Sequence, residues 1–172
     1  MSTVTVPVNG VDRRDILQIA NATAGKQIDK DSQQQNTEIR ILVVDTNRGH
    51  AIEGHSIAQT IVGYLTGYGY IIEVAKDHNE AFQIFQRAFT SKPFHLVITN
   101  LKGKTNERDE TPQEIKDGAE LIKRIKEISM KSKVLLYTAS PPESTQADQV
   151  LEKPCDQDRF AAKVKELLER QD

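Results

Sequence analysis

Four short apolar runs in this chain lead into side chains that can do chemistry. Ile41–Val44 is followed by Asp45 and Thr46, and Leu96–Thr99 by Asn100. Val134–Tyr137 is followed by Thr138, and Val150–Leu151 leads to Lys153 and Pro154. A carboxylate, an amide, a hydroxyl and an ammonium gathered at strand ends suit anion binding, or pairing among themselves as a satisfied polar plug. Asn100 is the most informative. An amide has no carboxylate oxygen to attack a phosphoryl group, so no acyl phosphate can form on it.

Other candidates carry less. His50 and His55 are five apart beside glycines, which does not match helical metal-ligand spacing, and loop histidines are usually structural or solvated. Ala22–Lys26 has a phosphate-loop flavour but lacks the first glycine and a preceding strand. Glu107, Asp109 and Glu110 read as a solvated loop, with replacement of missing metal carboxylates as the lesser alternative. Cys155 is the single cysteine; it reads as a packed, inert thiol and excludes an intramolecular disulfide. Spacing yields no Ser-His-Asp set and no paired catalytic carboxylates.

The elements that must position these groups follow from periodicity. The apolar runs read as strands over Ile41–Val44, Tyr70–Ala75, Leu96–Asn100 and Val134–Thr138, with a short one at Val150–Leu151. Between them apolar residues recur at helical spacing: Ile57, Ile61 and Leu65, stopped by Gly67 and Gly69; then Ala81, Ile84, Phe85 and Ala88, capped by Asp77 or Asn79. Ile122, Ile125 and Ile128 mark a third helix, and Phe160, Val164 and Leu167 a last one capped by Asp156. Strands alternating with helices imply a parallel sheet covered on both faces, and continuously apolar strands agree.

Residues 1–38 differ. A helical patch over residues 11–24 carries Ile16, Ile19, Ala20 and Ala24 on one stripe, and the polar stretch Asp29–Thr37 reads as a linker. The expected organisation is therefore an N-terminal helix and linker, 1–38, and an α/β domain, 39–172. The chain has 172 residues, 23 basic and 25 acidic, for a net charge of −2. That balance argues against a dedicated nucleic-acid binder. No apolar run approaches a membrane span, and MSTVTVPVNG lacks the regions of a secretory signal. A cytoplasmic protein is expected, and no cofactor or metal.

The strand-end set resembles the receiver domain of two-component response regulators. The resemblance runs from Arg40 to the C-terminus through ILVVD (41–45), LVITN (96–100), LLYTA (135–139) and EKP (152–154). It implies a flavodoxin-like fold with five parallel strands. In active members two acids after the first strand and an acceptor aspartate bind Mg²⁺, while a Thr or Ser and a Lys contact the phosphoryl group. Here Asp45 fits the first acid, but Thr46 stands at the second and Asn100 at the acceptor. Thr138 fits the hydroxyl position, and Lys153-Pro154 fits the lysine and its proline, often cis. Val150 stands where the family's switching aromatic lies.

One carboxylate beside a lysine is a poor Mg²⁺ site, so Asp45 and Lys153 are expected to pair directly, with Asn100 hydrogen-bonding between them. Residues 46–55 and 102–116 look like insertions. Only 139–149 joins the last two strands, too little for a full crossover helix, so the fourth helix is expected to be reduced or absent. That would leave Leu135, Tyr137 and Val150 uncovered and give the 11–24 helix a place to dock on its own domain or on a second copy.

The resemblance implies a degenerate, non-phosphorylatable pseudo-receiver. It is expected to be a non-enzymatic protein-interaction module of bacterial-type signalling, able to form a homodimer and engaging neither nucleic acid nor membrane. One alternative is a receiver-like domain that binds a small molecule or anion at the strand ends. The other is a receiver-like accessory domain of the kind found in basic amino-acid decarboxylases.

Overall fold

The computed structural model describes residues 38–46, 56–102 and 115–170. The chain divides into two units, Met1–Thr37 and Glu38–Asp172, and the described residues belong to the second. The expected 11–24 helix, its linker, residues 47–55 and 103–114, His50, His55, and the Glu107, Asp109 and Glu110 loop lie outside the described residues.

In chain order the elements are β1 Arg40–Val44, α1 Ile57–Leu65, β2 Ile71–Ala75, α2 His78–Phe89, β3 Leu96–Thr99, α3 Gly118–Ile128, β4 Lys133–Thr138, β5 Gln149–Glu152 and α4 Gln157–Glu169. The strands form one sheet in the order β2-β1-β3-β4-β5, with every neighbouring pair parallel. This is the parallel sheet that the alternating pattern implies, in the flavodoxin-like arrangement that the resemblance implies.

Side-chain alternation along each strand builds two cores. Ile41, Val43, Leu96, Ile98, Leu135 and Tyr137 pack with Ile61 and Leu65 of α1 and Phe160 and Val164 of α4. Leu42, Val44, Val97, Val134 and Leu136 pack on the other face with Phe85 of α2 and Leu121, Ile122 and Ile125 of α3. Phe160 is fully buried and meets Tyr137 edge-on, with ring centroids 5.1 Å apart. Such aromatic pairs add roughly 0.5–1.5 kcal/mol beyond area burial.

Local chemistry sets the helix starts. Ser56 and Gln59 close a capping box on α1. Asp77, Asp117 and Asp156 each accept a backbone N–H at the start of α2, α3 and α4. Gly67 and Gly69 have φ of +94° and +75°, which ends α1 and turns the chain into β2.

The fourth crossover helix, expected to be reduced or absent, is absent: residues 139–148 contain no helical turn. One expectation is corrected: the sheet beneath is not bare where expected. Leu135 and Tyr137 are buried on the α1/α4 face, under Phe160. On the opposite face Leu136 is fully buried, and Ala147 packs beside half-buried Val150. The return loop is fastened by Asp148. Its carboxylate accepts from Val134 N at 2.6 Å and from Lys126 Nζ at 2.5 Å, and its own N–H donates to Val134 O at 2.9 Å.

Candidate functional site

The carboxyl ends of β1 and β3 and the residues after β5 bring four of the six expected site residues together. Asp45, Thr46, Asn100 and Lys153 line a common cavity of about 10 Å³, closed by Tyr137 and by Ile57 and Ile61 of α1. That is roughly the room of one water molecule. Thr138 and Pro154 do not line it. Thr138 instead closes a local turn, its Oγ1 accepting from Ser140 N at 3.3 Å. The Lys153-Pro154 peptide is cis, and Lys153 N donates to Thr138 O at 2.9 Å, locking the end of β5 to β4.

The polar contacts differ from the expected bridge. Asn100 Nδ2 donates to Thr46 Oγ1 at 2.6 Å, so the amide ties β3 to β1 rather than spanning Asp45 and Lys153. Asn100 Oδ1 is buried with no hydrogen-bond partner among the described residues. The Lys153 ammonium lies 4.7 Å from the centroid of the Tyr137 ring, a cation–π contact that replaces part of its lost hydration. Burial pulls the Lys153 pKa down from 10.5, and the Asp45 charge pushes it back up. Asp45 itself is 1% exposed.

Mg²⁺ needs near-octahedral oxygen coordination and usually keeps several waters. The cavity offers one carboxylate, an amide, a hydroxyl and a neighbouring cation, in room for about one water. The residues present do not fit the ion. Among the described residues, no group of three or more His, Cys, Asp and Glu side chains could hold a metal. Cys155 is buried, and burial raises its pKa, which disfavours the reactive thiolate.

Sequence reading missed three residues that set the Asn100 backbone. Gly118, the first residue of α3, packs directly against it: a Cβ there would lie 1.8 Å from Asn100 O. Gly118 N donates to Leu101 O at 3.0 Å. His78, the first residue of α2, is 2% exposed and its Nε2 hydrogen-bonds Asn100 O at 3.1 Å. Thr99 Oγ1 donates to the same oxygen, also at 3.1 Å. Only Gly118 left a trace in the sequence, as a glycine immediately after the capping residue Asp117, a pattern too common to single out.

His78 carries a pH dependence. Burial lowers its pKa from 6.5, against smaller opposing effects of the Asn100 hydrogen bond and the Asp117 and Asp77 charges. The unfolded chain therefore takes the proton more readily than the folded one. The stability tied to neutral His78 is whole above pH 6.5 and falls as pH drops below that value. Urea midpoints should decline between pH 7.5 and 5.5, and His78→Gln should flatten that decline. An equal decline in both proteins would assign it to other groups.

No protein-family model matches the chain, and no curated protein matches it. Solved structures do. A CheY-like response regulator receiver domain protein from Methanospirillum hungatei aligns with TM-score 0.58 at 20% identity, covering 76% of this chain and 94% of that one. The signal receiver domain of a putative Luxo repressor protein from Vibrio parahaemolyticus gives 0.58 at 23%, covering 77% and 92%. The response regulator protein TrrA from Thermotoga maritima, in complex with Mg²⁺-BeF, gives 0.54 at 27%, covering 75% and 98%. These alignments give the chain the fold of response-regulator receiver domains.

Proposed function

We propose that this chain is a pseudo-receiver. It performs no phosphotransfer and acts as a protein-interaction module of bacterial-type signal transduction in the cytoplasm. The observation that carries this reading is Asn100. It stands at the acceptor position, its amide already bonded to Thr46, with the Lys153 ammonium stacked on Tyr137 in a cavity of about 10 Å³. The alternative of small-molecule or anion binding at the same point has no support from a cavity of that size.

The Thermotoga neighbour is a complex with Mg²⁺-BeF, and beryllofluoride gives the direct comparison. With acetyl phosphate or beryllofluoride and Mg²⁺, this chain should acquire neither a covalent phosphate nor a bound adduct, as read by intact-mass spectrometry and by ¹⁹F NMR. Asn100→Asp alone should not restore efficient phosphorylation, because Thr46 leaves the metal site a carboxylate short. A stoichiometric, hydroxylamine-labile phosphate on the native chain would overturn the reading.

A further inference from the structure

We propose that the outer edge of β2 receives an extended segment of a partner protein as an added strand, and that this segment alternates acidic and apolar residues. The inference rests on the interaction-module reading and names the surface and the chemistry of its partner.

β2 is the last strand on its side of the sheet. Ile71 N donates to Ile39 O at 2.9 Å and Asp45 N donates to Ala75 O at 2.8 Å, so the odd-numbered residues turn their polar groups toward β1. Polar groups alternate along a strand, and Ile72 and Val74 therefore present N–H and C=O outward. Among the described residues no strand lies on that side. Such an edge is a template for another strand unless charges, proline or a bulge blunt it. Residues 70–75 contain no Lys and no Pro. Their one charge, Glu73, is already engaged by Arg40.

The two faces beside this edge differ in chemistry. On the α1/α4 face stand half-buried Tyr70, Ile72 and Val74. Tyr70 stacks on exposed Tyr68, with centroids 5.8 Å apart at 13°. On the other face β2 and α2 flank an open cleft of about 310 Å³ whose lining includes Arg40, Glu73, Ile84, Arg87 and Lys92. Arg40 is committed: its guanidinium lies 4.4 Å from the Phe94 centroid and bonds Glu73 and the Lys92 carbonyl. Arg87 and Lys92 are exposed, and neither has a carboxylate partner among the described residues.

A strand added at β2 would place alternate side chains over these two faces. One set would lie over the cleft, where Arg87 and Lys92 favour carboxylates. The other would continue the apolar row of Tyr70, Ile72 and Val74. Charge decides against a second copy of this chain as the occupant. Each cleft holds three cations and one carboxylate, so pairing β2 with β2 would bring two surpluses of positive charge together.

The test uses the full chain and synthetic peptides of about nine residues, alternating Glu with Val or Lys with Val, read by amide hydrogen exchange. The Glu-Val peptide should slow exchange at Ile72 and Val74 by about tenfold or more. The Lys-Val peptide should not. Arg87→Glu with Lys92→Glu, both exposed and outside the core, should abolish the effect at an unchanged melting temperature. Equal protection by both peptides would overturn the proposal, as would protection elsewhere or none at millimolar peptide. So would amides already protected in the free chain, or protected only as protein concentration rises; the latter would assign the edge to a second copy.

Co-purification from the native cell separates this inference from the reading beneath it. A partner recovered equally by the native chain and by the doubly substituted one would leave the module reading standing and remove β2 as its surface. No partner recovered by the native chain would refute the module reading itself.

Discussion

Gly118→Ala is expected to cost the fold about 3 kcal/mol or more, at the upper end of what overpacking does in proteins. The added Cβ would meet Asn100 O at 1.8 Å, Asn100 C at 2.8 Å and the Leu101 Cα at 3.1 Å. All three are backbone atoms at the end of a central strand, so no side-chain rotation relieves the clash. Either α3 must lift from the sheet or the end of β3 must move, and moving it disturbs the hydrogen bonds at Asn100 O and the Asn100–Thr46 contact. Urea denaturation should show a much lower midpoint. Gly63→Ala is the internal control. It lies in α1 with nothing within 4 Å of the new Cβ and should stabilise by roughly 0.5–1 kcal/mol through helix propensity. Equal midpoints for Gly118→Ala and the native chain would show that the close approach does not constrain the fold.

Lys153→Met should destabilise by about 3 kcal/mol, because it removes the cation whose charge acts with the buried Asp45 carboxylate. Asp45→Ala should also destabilise strongly, leaving a half-buried ammonium supported among the described residues by the Tyr137 ring. The double substitution should recover part of the loss, since no uncompensated charge then remains. The decisive quantity is the coupling in a double-mutant cycle of unfolding free energies. Additive losses would mean that the two groups do not interact across the pocket, and that each is stabilised by other neighbours.

These two results bear on function as well as stability. The site that carries phosphoryl chemistry in receiver domains is, in the proposed reading, a polar plug whose role is to hold β1, β3 and the β5 turn in one arrangement. A module whose pocket does not switch must present its partner surface constitutively. The polar groups of Ile72 and Val74 are turned away from β1 and its plugged end, so in this reading occupation of that edge needs no signal from the pocket.

Much of this was legible in the sequence because it rests on local chemistry. Strands buried on both faces must be continuously apolar, so Ile41–Val44 and Leu96–Thr99 announced themselves. Helices with one face on the sheet must repeat at helical spacing, as Phe160, Val164 and Leu167 do. Asp77 and Asp156 were readable as caps because a short carboxylate bonds the backbone within its own turn. The gathering of Asp45, Thr46, Asn100 and Lys153 was implied by the resemblance to receiver domains, which places these strand ends together.

Tertiary structure decided what depends on distance between segments far apart in the chain. The pairing of the Asn100 amide with Thr46 depends on how two strand ends far apart in the chain lie against each other. The place of Tyr137 under Lys153 depends on which face the end of β4 presents, a one-residue question of register. Gly118 and His78 act on a carbonyl at least 18 positions away in sequence, and nothing in their own neighbourhoods marks them. The cover over β4 and β5 was misjudged for the same reason. Residue spacing showed that a helix was missing, but only the folded chain shows Asp148 fastening the loop that takes its place.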